Sequence, residues 1–328
     1  MNKLLSVLAA MTVLCASAVF AADKVTIQLK WVTQAQFAGY YVAQDKGFYK
    51  DEGLDVTIKP GGPDIAPAQV LAGGGADVMV DWMPSALAAR EKGLPLVNIA
   101  QPFKSSGMML TCRKDMGVNS TSDLKGKTLG VWFYGNEYPF LSWMSRLGLK
   151  TDGSSDGVTV LKQGWGVEPL TEGQAACVST MSYNEYWVVR DAGYSPEQLT
   201  VFKYQTEGAA TLEDGLYVHE KNLSDSAFKD KMVRFVRASM KGWKHAEANP
   251  KEAAVIILEN DDAGVQTEKH QVRMMGEIAK LTAGSNGSLD PADYERTVKV
   301  LMSGASDPVI TKKPSGAWTH EITDAALK

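Results

Sequence analysis

Side chains able to recognise a small molecule gather at the ends of strand-like runs in this 328-residue chain. The run VTIQLKW (25–31) ends in Trp31 and is followed by Gln34 and Gln36, and ADVMVDW (76–82) ends in Asp81 and Trp82. Trp132, Tyr134, Asn136 and Glu137 stand at or just beyond the end of LKGKTLGVW (124–132), and Tyr183, Asn184 and Glu185 follow a buried run that begins at Ala176. In open α/β sheets ligands collect outside the carboxyl ends of strands, so these are the positions to weigh. Aromatic faces stack on a flat ring, while amides and carboxylates pair with ring nitrogens or amino groups. The set suits an uncharged or weakly basic heteroaromatic ligand. Phe37, Tyr41 and Trp187 fall on helical faces, where core burial is the simpler assignment.

Reaction chemistry finds less support. His219, His245, His270 and His320 all lie in the later half, mostly in charged helical surroundings such as GWKHAEAN and TEKHQVR that predict solvated faces. No HExxH, CxxC, P-loop or GxSxG pattern occurs, and the glycines of LAGGGADV (71–78) precede a strand instead of following one. The expectation is a protein that is not an enzyme, with no metal and no cofactor.

The elements that must hold these residues alternate. Strands are expected at 25–31, 54–60, 76–82, 96–101, 108–113, 124–132, 158–163 and 199–204, with helices between them, such as 39–51, 84–92 and 139–147. This spacing argues for parallel β-α-β units covered on both faces. From about Ser224 apolar residues recur at helical spacing. The organisation expected is two α/β lobes: residues 23–107 with 211–328 form the first, including a helical tail, and 108–210 form the second, inserted one. Residues 1–22 have a basic start at Lys3, a short apolar stretch and a small-residue run ending in Ala21 and Ala22, which predicts a cleaved export signal. Export leaves Cys112 and Cys177, which could pair or remain separate thiols. With 45% hydrophobic residues and a formal net charge of −4, the chain suits a globular protein and carries no basic footprint for nucleic acid.

KWVTQAQFAGYYVAQDKGFYKDEGLDVTI, VLAGGGADVMVDW, LAAREKGLPLVNIAQ, SDLKGKTLGVW and MSYNEYW, in order over about residues 24–220, resemble the periplasmic solute-binding proteins of ABC importers. The branch includes binders of thiamine pyrimidine precursors, riboflavin, alkanesulfonates, taurine and nitrate, and is related to the fungal thiamine-pyrimidine synthase. The resemblance implies a type II periplasmic binding protein fold: two lobes joined by two crossover strands and a hinge, closing on one small molecule in an interlobe cleft. It also implies a monomer in the periplasm that docks on a permease in the inner membrane. Sulfonate and nitrate binders carry a small Ser/Gly/Thr-rich turn after the strand matching GKTLGVW, whereas here the turn is FYGNEYPF, where Glu137 would repel an anion and Tyr134 offers a ring. A pyrimidine precursor of thiamine fits better; riboflavin, or a sulfonate, taurine or nitrate, are the alternatives. The synthase would need a Cys-rich motif and a histidine in the opening segment, which this chain lacks. Trp31, Trp82 and Tyr134 are expected as walls, Asp81, Glu137, Asn184 and Glu185 as polar partners, and Gln34, Gln36 and Tyr183 as further contacts.

Overall fold

A computed structural model describes residues 21–303 and 308–327. All but the last two residues of the expected export signal lie outside them. The chain runs β1 (Asp23–Gln28), α1 (Ala38–Asp45), α2 (Phe48–Asp51), β2 (Leu54–Lys59), α3 (Pro67–Ala72), β3 (Val78–Asp81), α4 (Met83–Glu91) and β4 (Leu96–Ala100). It continues through β5 (Met108–Arg113), β6 (Thr128–Val131), α5 (Tyr138–Arg146), β7 (Thr159–Lys162), α6 (Glu168–Thr171), β8 (Cys177–Met181), α7 (Glu185–Asp191) and β9 (Leu199–Lys203). It ends with β10 (Gly215–His219) and the helices α8 (Ser226–Ala248), α9 (Pro250–Glu259), α10 (Glu268–Thr282), α11 (Pro291–Met302) and α12 (Glu321–Ala326). The single helix expected over 39–51 is two, because Gly47 takes a left-handed conformation (φ 72°) between them.

Two five-stranded sheets result, in the orders β2-β1-β3-β10-β4 and β7-β6-β8-β5-β9. Both are mixed, which corrects the all-parallel expectation. β1 pairs parallel with β2 and β3, and β6 parallel with β7 and β8. β10 runs antiparallel to β3 and β4, and β5 antiparallel to β8 and β9. The antiparallel strands are those that follow the two connections between sheets, residues 101–107 and 204–214: each lobe takes in a strand that arrives from the other side instead of from a β-α-β crossover. Of these, β10 was not foreseen, since GLYVH is short and lies just after an acidic turn.

The buried aromatic residues of the opening segment explain how α1 sits. Tyr40 meets Trp243 of α8 edge to face at 5.7 Å, and the Tyr41 hydroxyl lies 2.9 Å from Thr33 Oγ1. α1 and α8 cross at glycines: a Cβ on Gly242 would stand 2.0 Å from the Gly39 carbonyl oxygen. No other residue fits at that crossing. In the second sheet Cys112 and Cys177 are directly opposed on β5 and β8 and form a disulfide, which closes the question the sequence left open. Among the described residues no helix is long and apolar enough to cross a membrane.

Candidate functional site

The carboxyl ends of β1 and β3 face those of β6 and β8 across a cleft lined by Lys30, Trp31, Gln34, Gln36 and Trp82 on one side and Trp132, Asn136, Met181, Tyr183 and Glu185 on the other. Trp31 touches Trp132 edge to face across it, with ring centroids 5.9 Å apart. In this structure the two walls stand close together, and the space between them, its opening to solvent included, comes to about 290 Å³. Among the described residues the lining Tyr183 carries a buried hydroxyl with no hydrogen-bond partner, whereas the Trp82 indole N–H is directed at the Asp214 carboxylate. An unpaired buried donor such as the Tyr183 hydroxyl costs about 1–3 kcal/mol, which a ligand can recover.

Six of the residues singled out from the sequence therefore share one wall or the other: Trp31, Gln34, Gln36, Trp82, Tyr183 and Glu185. Four do not line the cleft. Asp81 is fully buried behind Trp82, where Oδ1 accepts from Lys30 Nζ at 2.6 Å and from the Trp82 amide at 2.7 Å, and Oδ2 from Ser85 Oγ at 2.9 Å. With those partners it is a structural ion-pair acceptor. Tyr134 points outward because its backbone is left-handed (φ 61°); its ring is 43% exposed and sits under Lys162 Nζ at 5.2 Å. Glu137 turns back onto its own turn and accepts from the Gly135 amide at 2.7 Å, and burial raises its pKa. Asn184 stands behind the lining, donating to Gln34 Oε1 at 3.1 Å and to Glu185 Oε1 at 2.8 Å.

Residues not chosen from the sequence take those places. Trp132 and Asn136 were at the right strand end, but which side chains of that turn face inward depends on the left-handed kink at Tyr134 and Gly135. Lys30 was hidden inside a strand-like run. His270, expected on a solvated face, has Nε2 2.8 Å from Asn184 Oδ1, and burial lowers its pKa. Asp214 and Glu213, in the connection that returns to the first lobe, are both buried. Glu213 accepts from Ser106 Oγ at 2.5 Å and from the Gly107 amide at 2.9 Å, tying the two connections together, while burial pushes its pKa to about 8.

The electrostatics of the cleft follow from this pairing. Lys30 is its buried cation and is committed to Asp81. Glu185 accepts from the Met181 amide at 2.9 Å and from Asn184, both neutral donors, and burial pushes its pKa to about 7. Asp214 accepts from Gln36 Nε2 at 2.9 Å through Oδ2, has the Trp82 indole N–H directed at it, and is also raised by burial to about 7. Two buried carboxylates thus face or flank the cleft with no cation of their own. Such a site favours donor-rich or cationic ligand edges and opposes anions.

Comparison with known proteins agrees on the architecture. Residues 34–253 match the family described as NMT1/THI5 like, more than half of the chain, and the chain belongs to that family. It is 25% identical to the formylaminopyrimidine-binding protein of Halalkalibacterium halodurans, over 86% of this chain and 85% of that protein. It is 26% identical to the riboflavin-binding protein RibY of Chloroflexus aurantiacus, over 72% of this chain and 66% of that protein. The periplasmic aliphatic sulphonate binding protein SsuA of Escherichia coli superposes with a TM-score of 0.63 at 11% identity, covering 85% of each chain. The chain has the two-lobed periplasmic binding protein fold.

Proposed function

We propose that this member of the NMT1/THI5-like family captures a small amino-substituted heteroaromatic solute, of the thiamine-pyrimidine class, in the cleft between its lobes and hands it to an ABC permease without altering it. The observation that carries this reading is the cleft itself: tryptophan and tyrosine walls, two glutamines on its floor, and the carboxylate of Glu185 without a compensating cation. A 4-aminopyrimidine edge offers a ring nitrogen beside an amino group, which matches a carboxylate flanked by amides. An alkanesulfonate or nitrate would bring a negative charge toward Glu185 and Asp214, whose nearest cation is already paired. Capture in the periplasm is supported by the export signal expected over 1–22 and by the location of the relatives that share the fold.

The decisive measurement is a thermal-shift series with 4-amino-5-hydroxymethyl-2-methylpyrimidine, its 5-formylaminomethyl counterpart, riboflavin, taurine and nitrate. A pyrimidine at one hundred times its dissociation constant should stabilise the protein by about 2.7 kcal/mol, and mass spectrometry should recover it unchanged. A shift with taurine or nitrate and none with the pyrimidines overturns the ligand class; a converted pyrimidine overturns the absence of catalysis.

A further inference from the structure

A row of side-chain hydrogen bonds beside the cleft links the first lobe to the second and returns to the first. Gln36 Nε2 donates to Asp214 Oδ2 at 2.9 Å, Gln34 Nε2 donates to Gln36 Oε1 at 2.6 Å, and Asn184 Nδ2 donates to Gln34 Oε1 at 3.1 Å. Asn184 Oδ1 then meets His270 Nε2 at 2.8 Å. The row joins the returning connection, the turn after β1, the turn after β8, and α10. Every amide points the same way, and chemistry explains why. An ionised carboxylate can only accept, so Gln36 must turn its nitrogen to Asp214 and its oxygen outward. That oxygen requires the nitrogen of Gln34, whose oxygen requires the nitrogen of Asn184, which Glu185 Oε1 also accepts from at 2.8 Å, and the remaining Asn184 oxygen requires an N–H on His270. A neutral His270 carrying its proton on Nε2 supplies it, consistent with the lowering of its pKa by burial.

We propose that Asp214 is a positioning residue for ligand recognition: with Glu185 holding the Asn184 end, its ionised carboxylate sets the direction of the Gln36–Gln34–Asn184–His270 row and thereby fixes which amide atoms the two glutamines turn toward the ligand. Asp214 does not itself line the cleft, whereas Gln34 and Gln36 do. The groups that face Asp214 are Lys30 and Asp81 from the strand ends, Tyr40 from α1, Tyr183 from the turn after β8, its neighbour Glu213, and Tyr217 of β10. Lys30, itself held by Asp81, favours the ionised form of Asp214 but does not offset its burial. Burial outweighs the Gln36 hydrogen bond and brings its pKa to about 7. Protonated, the Asp214 side chain can donate as well as accept, and with Glu185 taking up its proton in the same pH range the amide row loses the constraints that order it.

The proposal rests on the functional reading above only in taking this cleft as the ligand site. It is tested by calorimetric titration with 4-amino-5-hydroxymethyl-2-methylpyrimidine at pH 8 and pH 6 on the wild type, Asp214→Asn and Glu185→Gln. Asparagine still offers Gln36 an oxygen but does not titrate. The ratio of wild-type to D214N dissociation constants should rise about tenfold from pH 8 to pH 6, and this ratio cancels any titration of the ligand. A constant ratio overturns the proposal, as does loss of the pH step in E185Q with its retention in D214N. If the pyrimidine fails to bind and riboflavin binds instead, the functional reading alone falls, and the same ratio measured with riboflavin decides the role of Asp214.

Discussion

The two walls of the cleft bury carboxylates in opposite ways. On the first-lobe side Asp81 is neutralised by Lys30, receives two more hydrogen bonds, and is withdrawn behind Trp82. On the second-lobe side Glu185 is equally buried but is met only by a backbone amide and an asparagine, and it lines the cleft. The wall that carries it is stapled from behind: β8, which leads into the Tyr183–Glu185 turn, is joined to β5 by the Cys112–Cys177 disulfide. A compensated carboxylate holds the fold together. An uncompensated one remains available to a ligand, and the protein tolerates its burial by raising its pKa.

Breaking the compensated side should have the largest effect. Lys30→Ala leaves Asp81 buried and unpaired and should reduce folding stability by about 3–5 kcal/mol in urea denaturation; a loss below 1 kcal/mol would show that the pair is not structurally required. Removing the staple comes next. The bridge spans 65 residues, and Cys112→Ala with Cys177→Ala should lower stability by about 2–4 kcal/mol, with the same loss in the wild type under reductant. An equal urea midpoint with and without reductant would contradict the bond.

Neutralising the uncompensated side should act on binding more than on folding. Glu185→Gln should weaken pyrimidine binding by about 1.5–3 kcal/mol, as for a hydrogen bond to a charged group. Its effect on stability depends on pH with a definite sign. The folded-state pKa of Glu185, about 7, lies above its ordinary value of 4.5, so the folded protein binds more protons between those values. The ligand-free protein therefore loses stability as pH rises through this window, by up to about 1.4 kcal/mol per pH unit from this group. Thermal unfolding of E185Q should show a flatter dependence from pH 5 to pH 7, and an unchanged slope would mean that Glu185 is not held protonated by burial. The smallest effect is expected at Tyr134, whose ring is outside the cleft: Tyr134→Ala should change ligand affinity by less than about 0.5 kcal/mol, and a larger loss would return that ring to the site.

Much of the cleft could be read before any coordinates because strand ends are local. A run of alternating or apolar residues that stops at Trp31, Trp82 or Tyr183 places those side chains at a sheet edge whatever the partner strands are. The same logic failed within the turn after β6, where Trp132 and Asn136 face inward and Tyr134 and Glu137 do not. A left-handed residue there rotates the following side chains, and a positive φ at a bulky tyrosine is not legible from residue type. Tyr40 and Tyr41, part of the same aromatic crowd as Trp31, went to the core because α1 needs an apolar face against α8.

The sequence by itself determined the alternation of strands and helices, the aromatic and amide character of the strand ends, and the negative net charge. Only the tertiary structure decided which charges cancel. Lys30 finds Asp81 across 51 residues, Gln36 finds Asp214 across 178, and Asn184 finds Gln34 across 150. Whether a buried carboxylate is a structural ion or a recognition group depends on the partner within about 3 Å, and that partner is brought by the fold from elsewhere in the chain.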